Sequence, residues 1–570
     1  MIRNNQYFLI KSIIFSLSVM SISLLTYTFS QVDSQTAGNN YEPRAATPAP
    51  EASEPTPEGR DDTLTRESEN GQPFFVFKAI VNETAGATPE GQEVEREEHD
   101  PPLMNETKAA LAYNKLFTDE SSLVEAGEKE IFEMPLPENR SSGPEPELAT
   151  QIDAFPGINS ASSRGGGNPS DSTGAAGTNH ILQMVNQAGA IYTKDGRPVK
   201  DFALFSFFRT AGDRITDPRV IYDPSSERWF TVLQDITLKS QLVAVSKTDN
   251  PTGEWNVYKF PFTNCPDQAR IGVSKDKFVI SVNGFSAGCS SPYKGAQYTV
   301  VNKTQMIDGK ENPDFNQSTS DMDLFALQPA INNPSNSTSS IFMLSIETFG
   351  THEMNLVVLD GPISHLTLKE KVYQIQPTTV PPKAEQKAST IQLKTGDGRA
   401  QASAWSHGKL WFTFVDGCQP DGDTSIRSCV RILQIDTNTI DNPGEIIPAQ
   451  DFDVAIPQSY LLYPALATDS QGNMGILMGL SSSQKHPSLL ITGQTMNDPI
   501  NTVDDPQYLV EGTAVSNAER YGDYQTVSPD PVKDSQFWNF GQISISTGPS
   551  RTMWSSYIGT FTLQDISSPP

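Results

Sequence analysis

Four aspartates in this chain each stand within three residues of an arginine, ahead of a short apolar run. They are Asp217 in DPRV with Arg219, Asp267 in PDQAR with Arg270, Asp397 in GDGRAQ with Arg399, and Asp523 in RYGDYQ with Arg520. Carboxylates gathered in space support three kinds of chemistry. They can ligate a hard cation such as Ca2+, which takes about six to eight oxygens. Two of them can divide acid and base work when their surroundings differ. Each can instead be neutralised by its arginine through charge-assisted hydrogen bonds, which leaves a structural ring. The four aspartates are the candidate ligand or ion site, and the four arginines their candidate structural partners. No residue is assigned a catalytic role.

Other chemical signatures are thin. The six histidines, His99, His180, His352, His365, His407 and His486, include no HExxH and no other close pair, so a histidine-rich zinc centre is not indicated. No serine is read as a nucleophile. GRDD (59–62) and RGGG (164–167) lie in glycine-rich linker, without the strand before and helix after that a phosphate loop needs. Turn aspartates such as Asp223, Asp276, Asp469 and Asp530 read as residues that bond their own backbone. Of the six tryptophans, Trp255 in PTGEWNVYKF closely follows a turn and is the one expected at the surface.

The elements that would position the aspartates are strands. Beyond residue 178, short apolar and aromatic runs alternate with turns rich in Asp, Gly, Asn, Ser and Pro. Examples are HILQMVN (180–186), FALFSFF (202–208), RWFTVLQ (228–234), KFVISVN (277–283), KLWFTFVD (409–416), QFWNFGQISIS (536–546) and YIGTFTL (557–563). A turn delivers the chain into a strong strand at Trp229, Phe278, Met343, Trp411, Met474 and Trp538. Spacings of about 50 to 70 residues suit four-stranded blades with long loops. Such a sheet cannot bury both faces alone, so blades must stack around an axis. The fold expected is all-β, a β-propeller of seven blades with six as the alternative. The strands at 180–208 would form a partial blade that YIGTFTL completes. The first strand of each blade lines the channel of a propeller, so the Asp/Arg pairs would converge at one mouth.

The segments TNHILQMVN (178–186), DPRVIYDPSSERWF (217–230), VAVSKTDNPTGEWNVYKF (243–260), DQARIGVSKDKFVISVNGF (267–285), LYPALATDSQGNMGILMGLSSSQKHPSL (462–489), RYGDYQTVSPDPVKDSQFWNFGQ (520–542) and WSSYIGTFTL (554–563) resemble a little-characterised family of exported bacterial and archaeal proteins. The resemblance covers about Thr178 to Leu563. It implies a propeller fold and export, and it supplies no activity. Where the family commonly reads RWGDY, this chain has RYGDY, with Tyr521 in place of the tryptophan.

The rest of the chain bears on compartment. Arg3 and Lys11 precede the uncharged apolar run Ser12–Phe29. That length lies between a signal peptide and a signal anchor, and 1–30 is read as one or the other. Residues 31–177, rich in Pro, Glu, Ser and Gly, read as a disordered acidic stalk, with ordered islands at PFFVFKAIV (73–81) and ETKAALAYNKLF (106–117). The propeller is placed at 178–565, with a tail at 566–570. The four cysteines group as Cys265 with Cys289 and Cys418 with Cys429; export favours disulfides, although four cysteines allow three pairings. Sequons at Asn82, Asn105, Asn139, Asn302, Asn316 and Asn336 are glycosylation candidates. A formal net charge of -27 disfavours nucleic acid as a partner.

These readings converge on a secreted or cell-surface binding or scaffold protein that is not an enzyme. Its propeller loops would recognise protein, glycan or cell-envelope material, with membrane contact only through residues 12–29 if these stay uncleaved. An extracellular polymer-acting hydrolase or lyase using mouth carboxylates is the first alternative, and a structural envelope component the second. No cofactor is established; Ca2+ is the one candidate.

Overall fold

In a sheet with one wet face, buried and exposed side chains alternate along each strand. Here they do not. All nine residues of Lys277–Phe285 and of Met474–Ser482 are buried, because each sheet is covered on both faces by its neighbours. The computed structural model describes residues 74–80, 129–137 and, apart from 165–166, 211, 213, 287–291, 334–336, 347–351, 443–446 and 549–550, residues 149–563.

The strands form six sheets. Five have the size of a single blade. The first runs Thr173–Ala176, His180–Val185, Ala188–Thr193, Pro198–Ala203. The second runs Ile215–Asp223, Arg228–Asp235, Ser240–Ser246, Glu254–Pro261, with Phe74–Ile80 added outside. Three more are Gln328–Pro329 to Thr367–Gln374, Tyr460–Thr468 to Gln507–Val510, and Thr526–Pro529 with Gln536–Gly548, Arg551–Leu563 and Ala149–Asn159. The sixth sheet has ten strands. It joins the antiparallel meander Cys265–Val273 to Phe315–Gln317 with the meander Ala402–Ser406 to Gln450–Ala455 through the two-residue strand Ile331–Asn332. Seven separate sheets, the number that the repeat spacing predicts, are therefore not found.

The sheets close into a β-propeller. Each meander begins on its innermost strand, and the innermost strands neighbour one another in sequence order until Thr526–Pro529 meets Thr173–Ala176. The pairings of Val273 with Ile331 and of Ile331 with Ala404 are parallel, so these innermost strands run the same way along the axis. The apolar cores lie between successive sheets. Leu182, Trp229 and Trp255 fill one, Phe230 and Phe278 the next, and Trp538, Phe540 and Ile181 the one that joins the last sheet to the first. Small residues sit where strands converge on the axis. At Gly174 a Cβ would overlap the Phe540 ring.

Several expectations need correcting. Thr173–Ala176 and Ala149–Asn159 belong to ring sheets, so the ring takes in part of the stretch read as stalk. The Gly/Ser-rich texture at Thr173–Ala176 serves close packing. The segment YIGTFTL does not complete the first sheet, which has four strands of its own. It lies in Arg551–Leu563 and pairs with Ala149–Asn159 and Gln536–Gly548. FALFSFF is strand only to Ala203; Leu204–Phe208 is a helical turn, since Leu204, Phe207 and Phe208 at helical spacing all reach the core. Trp255 is buried, its Nε1 donating to the Pro251 carbonyl at 3.0 Å.

Of the turn aspartates, Asp223, Asp469 and Asp530 behave as read, whereas the Asp276 carboxylate accepts from Lys277 Nζ at 2.9 Å. Asp469 accepts from the backbone N–H groups of Gln471 and Asn473, both at 2.9 Å. Asp530 accepts from Val532 and Lys533 and from Trp538 Nε1. A disulfide joins Cys418 and Cys429 across neighbouring strands, with Cα atoms 5.9 Å apart, which fits an oxidising compartment. Cys265 is also disulfide-bonded; Cys289 lies outside the described residues. So do residues 12–29, 106–117, Asn82, Asn105, Asn139 and Asn336. Asn316 is exposed, and Asn302 caps the short helix Lys303–Ile307. Among the described residues no helix is long and apolar enough to cross a membrane.

Candidate functional site at the channel mouth

Each innermost strand is entered through a residue with positive φ: Asp171 at 51°, Asp217 at 54°, Gln268 at 51°, Ala326 at 53°, Gly398 at 76°, Tyr463 at 42° and Tyr524 at 66°. Three of these positions coincide with register shifts, between Thr216 and Arg219, Asp267 and Arg270, and Leu462 and Ala465. A bulge bends the strand and re-aims its side chains. Left-handed backbone at Gln, Ala or Tyr costs on the order of 1–3 kcal/mol and persists only where its surroundings fix it. The repetition round the ring sets one layer of re-aimed side chains at the channel mouth.

Asp217 is the hub of that layer. Its N–H donates to Asn186 Oδ1 at 3.1 Å, and its Oδ1 accepts from Thr216 Oγ1 at 2.8 Å. Its Oδ2 accepts from the Gln268 N–H at 3.1 Å and from the Tyr524 hydroxyl at 3.3 Å. One carboxylate thus ties together residues from three sheets. Asp171 is buried close by, and its Oδ1 has no partner among the described residues. Its carboxyl keeps its proton well above the usual carboxylate range. Burial is the main cause, and the charges of Asp217 and Asp523 add to it, against Arg520 and a hydrogen bond with Asn186. The Tyr524 hydroxyl is likewise pushed well up, by burial and then by Asp217 and Asp171. It stays a donor.

The arginines divide into two kinds. Arg399 pairs with Asp397 through Nε, 2.6 Å from Oδ1, and through Nη2. Burial alone would raise the Asp397 carboxyl, but Arg399 and then Arg270 hold it below its ordinary value. Arg520 Nη2 donates to Asp523 Oδ2 at 2.8 Å. Those two pairs are the neutralised motif that the sequence predicts. Arg219 and Arg270 do not follow it. Arg219 Nε donates to the Ala269 carbonyl at 2.8 Å, and its guanidinium lies 3.8 Å from the Tyr524 ring centroid. Arg270, 3% exposed, donates to the Gln268 carbonyl, Gln268 Oε1 and the Ala400 carbonyl, each at 3.3 Å. Its Nε has no partner among the described residues. Burial pushes its pKa down to about 9, and the neighbouring Arg219 and Arg399 contribute, against Tyr524 and Asp397.

Inside the mouth the channel wall is mixed, with Thr173, Arg219, Arg270, Gln328, Gln401 and Gln525 set among Val220, Ile271, Ala465 and Leu466. Both amide atoms of Gln525 are buried without a partner among the described residues. Further along, the wall turns apolar, with Ala175, Ile221, Val273, Ala404, Leu466 and Val527. The structure thus brings Asp217, Asp397, Asp523 and all four arginines to the mouth. Asp267 stands half-buried on the bulge beside Gln268. Sequence reasoning misses Asp171, Tyr524, Gln268 and Asn186. The signal that finds three of them is the left-handed residue at each strand start. Among the described residues no three His, Cys, Asp or Glu side chains close on one point as metal ligands do. The motif reading also overlooks one GxSxG run, Gly284 to Gly288. Ser286 follows the strand Lys277–Phe285 of an antiparallel meander, not the strand-to-helix turn that a nucleophile elbow needs.

No protein-family model and no curated protein sequence matches this chain. Among solved structures it is similar to a neuraminidase-like protein of A/little yellow-shouldered bat/Guatemala, at 7% identity over 57% of this chain and 95% of that one, with a TM-score of 0.33. It is also similar to the Trypanosoma rangeli sialidase in complex with the inhibitor DANA, at 12% identity over 64% of this chain and 56% of that one, TM-score 0.31. A third is the Cellvibrio cellulosa alpha-L-arabinanase, at 10% identity over 50% of this chain and 94% of that one, TM-score 0.28. Likeness at this level says nothing about the chemistry of the mouth.

Proposed function

We propose that this chain is a secreted or cell-surface binding protein whose ligand enters the channel mouth where the innermost strands begin. Counting the ten-stranded sheet as two blades makes the ring seven-bladed; the unbroken succession of innermost strands supports that count. The observation that carries the binding reading is the mouth itself. Strained bulges hold charged and polar side chains there, and the buried Arg270 Nε, Asp523 Oδ1 and Gln525 amide lack protein partners among the described residues. Leaving such groups unpaired in a dry site costs about 1–3 kcal/mol each, and a polar ligand would recover that. The ligand classes that suit it are glycans, peptides and other cell-envelope material. Titration of the full chain with glycan and peptide panels, followed by thermal shift, tests this. A panel that leaves the melting temperature unmoved would overturn it.

A second reading rests on one specific contrast. Asp171 is driven to keep its proton, while Asp217 accepts hydrogen bonds from Thr216, Gln268 and Tyr524. Two carboxyls in unlike surroundings are the pattern of an acid and a base. Release of reducing ends from soluble polysaccharides, abolished in Asp171→Asn, would favour a hydrolase. Ca2+ is a separate question, because Asp397 and Asp523 are already taken by arginines. A melting temperature raised by Ca2+ and lowered by chelator would restore the cation reading.

A further inference from the structure

Four guanidiniums stand at the mouth, those of Arg219, Arg270, Arg399 and Arg520. Asp217, Asp523 and Asp171 are buried among them, Asp397 is half-buried in its pair with Arg399, and burial drives Asp171 toward its protonated form. Asp267 is half-buried and its charge reaches Tyr524. Two of the four guanidiniums are nevertheless not paired with a carboxylate among the described residues. These are Arg219 and Arg270: neither forms an ion pair with a carboxylate among the described residues, and both line the channel.

We propose that the polar end of the channel is a site for one carboxylate group of an acidic ligand, held by Arg219 and Arg270 with the Gln525 side-chain amide as a further donor. This deepens the binding reading above and rests on it. Three observations lead there. Arg270 is almost fully buried, yet its Nε lacks a partner among the described residues. The Gln525 Nε2, on the same wall, also lacks one. Planar guanidiniums match the planar carboxylate in geometry and hydrogen-bond direction. The buried Asp217 and Asp523 would repel a second negative charge, which selects a singly charged group over a dianion. The neutral donors and acceptors that surround the pair, Gln328, Gln401 and Thr173, suit hydroxyls next to such a carboxylate. An acidic sugar is the ligand class with that composition.

The test uses the full chain and two matched probe sets, oligogalacturonate against oligogalactose of equal length, with inorganic phosphate and sulfate as anion controls, all by isothermal titration. Binding of oligogalacturonate at least tenfold tighter than that of the neutral oligomer supports the site. Arg219→Gln should weaken the acidic probe tenfold or more and leave the neutral one unchanged. Gln525→Glu, which adds a negative charge to the wall without removing a buried guanidinium, should abolish acidic binding and keep the native melting transition. Arg270→Met is the stronger variant, and Gln525→Glu decides the matter if Arg270→Met fails to fold. Equal binding of acidic and neutral oligomers overturns the carboxylate site but leaves the binding reading standing. Phosphate or sulfate competing as well as the sugar acid overturns the carboxylate assignment. Binding of neither oligomer overturns the site, and the peptide and glycan panels then judge the broader reading.

Discussion

The molecule buries charge in two places and resolves it differently. On the outer part of the ten-stranded sheet, Arg431 reaches Asp451 at 2.6 Å and Asp453 at 3.2 Å, and Lys129 reaches Asp416 at 2.7 Å. The Asp416 carboxylate also takes the Thr379 N–H at 2.6 Å and the Gly417 N–H at 2.8 Å. There, cations and anions are knit directly together. At the mouth, Arg219 and Arg270 lean on carbonyls and an aromatic ring, and polar atoms are left over. The outer knot sets each cation against carboxylates, although Arg431 Nη2 and Asp453 Oδ1 lack a hydrogen-bond partner among the described residues; among those same residues Arg219 and Arg270, at the mouth, have no carboxylate partner at all. Burial alone therefore does not mark a functional site. What sets the mouth apart is a pair of buried guanidiniums without a carboxylate partner among the described residues, beside an open channel.

The sharpest way to break this contrast is to truncate an arginine in each cluster. Arg431→Met strands three carboxylates and should cost about 3–5 kcal/mol in guanidinium unfolding. Arg270→Met should cost clearly less, because it relieves repulsion from Arg219 and Arg399. Equal losses would erase the distinction. Next in size, replacing both Cys418 and Cys429 by serine should cost about 3 kcal/mol, from the freedom that a loop of that length regains on unfolding.

The pH response should separate the clusters further. The Asp453 carboxyl is raised to about 7, by burial first and then by Asp416, against Arg431 and Lys129. The folded chain holds that proton where the unfolded chain, with an ordinary value near 4, does not. Stability is thus highest below about pH 4 for this group and declines as pH rises toward 7. Asp453→Asn should flatten that slope, as read from unfolding free energies at several pH values. Asp504, also raised to about 7 by burial and by Asp498 and Asp505, would leave a residual slope. The smallest effect expected is that of Tyr524→Phe. It removes one hydrogen bond to Asp217 and should cost about 1 kcal/mol in the same assay.

Much of the ring was legible from spacing, since strong strands recurring through the chain cannot bury both faces in any flat layer. The convergence of Asp217, Asp397 and Asp523 was legible for the same reason, because each stands at the start of an innermost strand. Asp171 was not. It sits in SSRGGGNPSDSTGAAG, a run whose small residues read as flexible linker but serve to let strands crowd together at the axis, as Gly174 does beneath Phe540. Tyr524 was passed over because a tyrosine beside a strand reads as ordinary core; only its left-handed backbone and its bond to Asp217 set it apart. Trp255 was misjudged because nearness to a turn was weighed above the core that its indole fills. The exceptions to the Asp/Arg pairing, Arg219 and Arg270, depend on which neighbour each bulge aims at. No local pattern encodes that.

The pairing of Ala149–Asn159 with Arg551–Leu563 has a bearing on how the molecule is made. A segment that emerges early in synthesis must wait, edge unpaired, for one that emerges some four hundred residues later. Until then the first and last sheets have no shared core, and the mouth has no Tyr524 to meet Asp217. Closure of the ring is consequently a late event, and a chain that lacks residues 551–563 should be digested by protease faster than the finished one.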